Sequence, residues 1–182
     1  MPAKPASIKA SALRWLAQRE HSRSEMRSKL LRLLARRAAL LRAVSRSAAA
    51  GAAPAEDDDS AEAQDPAAEV ELLLQWLESG GHLSQARFIE SRVHARQARF
   101  GNLRIRQELK QHGLSLDEPA RQALQQTELL RAHEVWRKKF KLPASDAASR
   151  LRQMRFLAGR GFSPDVVRQV VRGAGRRDEA GD

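Results

Sequence analysis

The chain has no cysteine and no tyrosine, and aromatic residues make up only 4% of its 182 positions. Absence of cysteine excludes a disulfide framework and a thiolate metal site, and it suits the cytosol. So few aromatics mean a core built mostly from Leu, Ala, Val and Ile. No uninterrupted apolar run approaches the length that crosses a bilayer. The first residues, Met1-Pro2-Ala3-Lys4-Pro5, lead into no secretory apolar segment. The stretch to Arg46 is rich in arginine and serine and nearly free of acids, as transit peptides are. It nevertheless carries a pair of well-spaced helices instead of one cleavable amphipath.

Alanine, leucine, arginine and glutamine dominate, and all are strong helix formers. A formal net charge of +11 and a pI near 11.2 imply attraction to nucleic acid, an anionic membrane or an acidic protein surface.

Apolar periodicity marks nine helices. The first carries Ile8, Ala12, Trp15 and Leu16. The second starts at Ser22 or Ser24 and carries Met26, Leu30, Leu33 and Leu34, its pattern dissolving after about Leu41. Between Ala48 and Pro66 the chain turns small and acidic (Glu56, Asp57, Asp58, Asp59, Glu62, Asp65), a composition that predicts disorder. Asp65-Pro66 caps the third helix, with Val70, Leu73, Leu74 and Leu77. The fourth carries Ala86, Ile89 and Val93, and the fifth Leu103, Ile105 and Leu109. A sixth runs from Ser115 to about Thr127 with Leu116, Ala120, Ala123 and Leu124. The seventh carries Leu129, Ala132, Trp136 and Phe140, the eighth Ala147, Leu151, Met154 and Ala158, and the ninth Val167, Val170 and Val171.

A turn recurs between these helices: Gly113-Leu114-Ser115, Gly161-Phe162-Ser163 and, more loosely, Gly81-His82-Leu83-Ser84. Glycine ends a helix in the left-handed conformation, and the serine is expected to cap the next helix. Gly113 and Gly161 should then be equivalent and equally sensitive to substitution. Helix order and spacing predict an all-α fold of three tandem three-helix repeats forming an elongated, curved helical array. The expected organisation is a tail (1–6), repeat 1 (7–83, with a disordered acidic insertion at about 43–65), repeat 2 (84–127), repeat 3 (128–173) and a second tail (174–182).

Four stretches carry a resemblance. They are Leu13-Arg14-Trp15-Leu16-Ala17-Gln18-Arg19-Glu20-His21-Ser22-Arg23-Ser24-Glu25-Met26, Gly81-His82-Leu83-Ser84-Gln85-Ala86-Arg87-Phe88, Arg104 to Gly113, and Arg155 to Ser163. In this order they resemble successive blocks of the RecX family. The resemblance implies a bacterial cytoplasmic regulator of the RecA recombinase, made of three three-helix repeats. It implies binding to the RecA–DNA filament and inhibition of its strand exchange, ATP hydrolysis and coprotease activities in recombination and the SOS response, with no catalytic residues. Two features depart from the family pattern: the acidic insertion stands where a short link is usual, and Gln85 where an acid is common.

Signals of enzyme chemistry are weak throughout. Gly159-Arg160-Gly161 fails as a dinucleotide loop because Pro164 takes the third glycine position and no strand precedes it. His21, His82, His94, His112 and His133 lack close metal spacing. Asp57-Asp58-Asp59 reads as a solvated charge run. No catalytic, cofactor or metal site is expected.

The basic faces are the candidates. Arg92, Arg96 and Arg99 share a face of the fourth helix, and Arg106 and Lys110 share one of the fifth with Arg104 nearby. Arg137, Lys138 and Lys139 gather at the end of the seventh. From Arg87 to Lys110 only Glu90 and Glu108 oppose seven basic residues, so a polyanion partner is favoured over a merely solvated surface. Trp15, Trp76, Trp136, Phe100 and Phe140 fit the core better than a base-stacking role. The expected partners are the RecA filament and DNA, single- or double-stranded, bound through the filament or weakly alone. No membrane is expected, and the protein should be a monomer. The alternative is a stand-alone basic nucleic-acid-binding protein.

Overall fold

Side-chain caps decide where most of the helices begin. The structure is a computed structural model describing residues 7–49 and 65–176, and its regular elements among these are nine α-helices. Ser7 accepts from the Ala10 amide at the start of α1 (Ile8–Gln18), and Ser22 accepts from Glu25 at the start of α2 (Arg23–Ala49). Asp65 opens α3 (Pro66–Ser79) with proline in the first turn, and Ser84 opens α4 (Gln85–Gln97). α5 spans Asn102–Gln111 and α6 Glu118–Gln126, the latter capped by Asp117. α7 (Glu128–Lys139) follows almost without a break. α8 (Ala147–Gly159) starts with a reciprocal Asp146–Ser149 capping box, and α9 (Pro164–Arg176) closes the described chain.

The chain divides into two compact units, Met1–Phe88 and Ile89–Asp182. In the first, Ala12 of α1, Met26 and Leu30 of α2, Val70, Leu73, Leu74 and Leu77 of α3, and Leu83 form one apolar cluster. Ion pairs staple α2 to α3 beside it: Arg23 meets Glu71 at 2.6 Å and Glu78 at 3.1 Å, and Arg27 meets Glu71 at 2.6 Å. Hydrogen bonds from Arg27 and Arg23 hold the Glu71 carboxyl below the usual carboxylate range. In the second unit Ala132, Val135, Trp136, Leu157, Phe162, Val167, Val170 and Val171 form a second cluster. Ile105 and Leu109 of α5 are fully buried as well.

The two turn glycines in the second unit behave as their motif predicts. Gly113 has φ +73° and Gly161 φ +80°. Gly113 N–H bonds Lys110 and Leu114 N–H bonds Leu109, while Gly161 N–H bonds Ala158 and Phe162 N–H bonds Leu157. Both are the paired closing bonds of a glycine-terminated helix. Gly81, at φ +70°, keeps the first bond, to Glu78, but the longer one comes from Leu83 instead of His82, so this turn is looser by one residue.

Several expectations are corrected. α2 does not dissolve near Leu41 but continues to Ala49, so the stretch 43–49 assigned to a disordered insertion is helical. Ala and Arg favour a helix there, where Val44 is all that remains of the apolar pattern. Positions 50–64 of that insertion, the tail 1–6 and positions 177–182 lie outside the described residues, while 174–176 of the expected tail 174–182 belong to α9. α6 starts at Glu118 under an Asp117 cap, so Ser115 lies before it. Ser163 gives its hydroxyl to Glu128. On α4 the buried residue is Phe88, while Ala86 is exposed. On α8 the inward residues are Gln153 and Leu157, with Leu151 and Ala158 exposed. Gln153 is buried because its Oε1 accepts from the Trp136 indole N–H at 3.0 Å, which offsets the loss of water.

Candidate functional site

Within the second unit, α5 begins against the α8–α9 turn. It has no side-chain cap of its own. Instead the Gly101 amide donates to the Arg160 carbonyl and the Leu103 amide to the Gly161 carbonyl, both at 3.0 Å. The Asn102 amide donates to Glu128 Oε1 at 3.0 Å, and Ser163 donates to the same carboxylate through both its amide and its hydroxyl. One turn along α7, the Arg131 guanidinium donates to the carbonyls of Gln97, Phe100 and Leu124 and to Asn102 Oδ1. Burial lowers the Arg131 pKa, and Glu128 opposes that shift. A buried polar network thus holds the α4–α5 corner and the α8–α9 turn together, which places Phe100 and Arg160 side by side.

Around Phe100 four guanidinium groups converge. Arg104 lies 4.8 Å from the ring centroid, Arg96 5.6 Å, Arg99 5.7 Å and Arg160 6.0 Å. Each is attracted by the ring face, and each repels the other three. Glu108 binds Arg96 at 2.8 Å and approaches Arg104 at 3.7 Å. Arg99 and Arg160 form no ion pair with a described residue, and neither do Lys138 and Lys139. These four, with Phe156 and Val135, line a shallow groove of about 270 Å³. Arg160 also lies 4.7 Å over the Phe156 ring and donates to the Arg99 carbonyl.

Of the residues expected from sequence, Arg96, Arg99, Arg104, Lys138 and Lys139 therefore come together. Arg92 borders the adjoining groove between α4 and α5, with Arg96, Arg104 and Glu108, and its guanidinium lies 3.5 Å from His112 Nε2. The remaining three are placed elsewhere. Arg106 faces a groove shared with Arg121, Glu128 and Asp165, Arg137 faces one with Glu134 and Leu130, and Lys110 is exposed in the last turn of α5. Sequence reasoning missed Arg160 and Phe156, and it assigned Phe100 to the core, where the structure leaves it half-buried among cations. The signal that could have found Arg160 is its place inside the repeated glycine turn.

This face gathers cations around partly exposed rings, and Arg99, Lys138, Lys139 and Arg160 among them form no ion pair with a described residue. Among the described residues no group of three His, Asp or Glu side chains could hold a metal ion, and no helix is long and apolar enough to cross a membrane.

Fold and face together define an all-helical protein built from three-helix domains. Residues 84–118 match the family model for the second three-helix domain of RecX, and residues 126–171 match that for the third. The regulatory protein RecX of Ralstonia nicotianae is 40% identical over 184 residues, covering 100% of this chain and 97% of its own length. The regulatory protein RecX of Leptothrix cholodnii is 45% identical over 168 residues, covering 91% and 88%. That of Herminiimonas arsenicoxydans is 39% identical over 168 residues, covering 91% of each. The chain belongs to the RecX family.

Proposed function

We propose that the protein is a cytoplasmic, non-enzymatic regulator of the RecA recombinase that binds the RecA–DNA filament and lowers its ATPase, strand-exchange and coprotease activities. In this reading the repeats are 7–83, 84–127 and 128–173, and the Phe100 face meets the phosphate backbone of the filament. The observation that carries it is the charge of Arg99, Lys138, Lys139 and Arg160, without an ion pair to any described residue, beside Phe100 and Phe156. Phosphates would relieve the repulsion among these cations and release counterions.

The test is RecA ATP hydrolysis and strand exchange on single-stranded DNA with substoichiometric protein. Inhibition well below one protein per RecA protomer is expected, and unchanged rates at every ratio would remove the proposal. The same cations would also serve a stand-alone nucleic-acid binder. Competition separates the two: a filament ligand keeps its hold on RecA–DNA against excess naked single strand at about physiological salt, and a stand-alone binder does not.

A further inference from the structure

α2 continues far beyond Leu34, the last of its residues packed against the core of the first unit. In that distal half Leu40, Leu41 and Val44 are 66%, 67% and 60% exposed. They are not scattered. Their spacing extends the helix face that buries Met26 and Leu30, with Arg37 standing in the same stripe, and among the described residues these three stay exposed. Charge is equally one-sided. From Met26 to Ala49 the helix carries Arg27, Lys29, Arg32, Arg36, Arg37, Arg42 and Arg46 and not one acid. Arg36, Arg42 and Arg46 form no ion pair with a described residue.

We infer that the distal half of α2 docks on an acidic protein surface that carries an apolar groove or stripe, the apolar face seating Leu40, Leu41 and Val44 and the acids meeting Arg36, Arg42 and Arg46. A second copy of this chain is disfavoured, because two acid-free arginine helices repel each other. Residues 50–64 contain no Leu, Ile, Val, Met, Phe or Trp to offer such a stripe. Phosphates alone would give three exposed large apolar side chains nothing to bury against. Helix-in-groove recognition uses both features at once. The inference rests on the filament-regulator reading, in which the partner protein is the recombinase itself.

Anisotropy of the labelled full chain tests it against three probes: the RecA–single-strand filament, the naked single strand, and vesicles of phosphatidylglycerol with phosphatidylcholine. The variant Leu40→Gln/Leu41→Gln/Val44→Gln keeps good helix formers, and its ellipticity should match the wild type. Its filament affinity should fall at least tenfold while its affinity for the naked strand stays within twofold. Leu40→Met/Leu41→Met/Val44→Ile should bind the filament as the wild type does, and Arg36→Glu/Arg42→Glu should lose filament binding as the glutamine variant does. Unchanged filament affinity in the glutamine variant overturns the inference. An equal loss on naked DNA assigns the face to nucleic acid, and vesicle binding that the variant loses assigns it to lipid; either result overturns it too. A wild-type chain that ignores the filament removes the proposed function itself, a failure visible without any variant.

Discussion

A Cβ atom on Gly161 would lie 2.5 Å from the Cβ of Arg104 and 2.6 Å from its amide nitrogen, whereas one on Gly113 would meet nothing within 4 Å. The two glycines share φ and hydrogen bonding but not surroundings. Their expected equivalence therefore fails. Gly113→Ala should cost only the left-handed strain, about 1–2 kcal/mol. Gly161→Ala adds a clash with the first turn of α5, worth about 1–3 kcal/mol more. Urea midpoints of the two variants decide it, and equal losses would show that the α5 contact yields freely.

Glu128 is 4% exposed and accepts from three donors on two different segments. Glu128→Ala would leave the Asn102 amide, the Ser163 amide and the Ser163 hydroxyl unpaired, and would strand the partly buried Arg131 cation. A loss of about 3–5 kcal/mol is expected, as for one partner removed from a buried charged network. Glu128→Gln keeps one good acceptor and should lose less. Denaturant unfolding of the purified variants checks this; an alanine variant within about 1 kcal/mol of wild type would mean that water replaces the carboxylate.

His21 adds a pH dependence in the first unit. It is almost fully buried, its Nδ1–H donating to the Arg19 carbonyl at 2.9 Å and its Nε2 accepting from Lys29 Nζ at 3.0 Å. Burial lowers its pKa most, and the charges of Arg19 and Lys29 lower it too, against the Arg19 carbonyl hydrogen bond and Glu25, which raise it. The unfolded state then takes up the proton first. Stability is fully present above the unfolded value of about 6.5 and falls as the pH drops below it toward the folded pKa. Unfolding free energies from pH 7.5 to 5.5 should fall for wild type and fall less for His21→Gln. Parallel slopes would remove His21 as the cause.

What sequence alone could say follows from how local each feature is. A left-handed turn is encoded by its glycine, so Gly113 and Gly161 could be read directly, and so could the caps at Asp65 and Asp146. The end of α2 could not, because after Val44 its sequence carries no apolar residue larger than alanine to mark a period, while helix propensity still favours it. Gln153 looks like a surface residue until Trp136 supplies its hydrogen bond. The basic face was half visible. Arg96 and Arg99 share one helix, but Arg160 joins them only because the Glu128 and Arg131 network brings a turn 60 residues away in sequence against Phe100.

Two classes of cation make up this face, and they should respond differently to substitution. Arg96 already has Glu108 as its partner at 2.8 Å, so its charge is largely spent within the protein. Arg99 and Lys139 line the groove without an acid. If the groove takes the phosphates of a single strand, Arg99→Gln/Lys139→Gln should reduce the slope of log affinity against log salt by about 1.4, that is about 0.7 for each lost contact. Arg96→Gln should change the slope much less, because it also frees Glu108, whose charge then weakens affinity without removing a phosphate contact. Both Arg99 and Lys139 are exposed, so thermal stability should hold in the double variant. Titrations of a labelled strand from 50 to about 300 mM salt give the slopes. Identical slopes for wild type and the double variant would show that these cations are solvated bystanders, and the phosphate-contact role of the Phe100 face would fall with them.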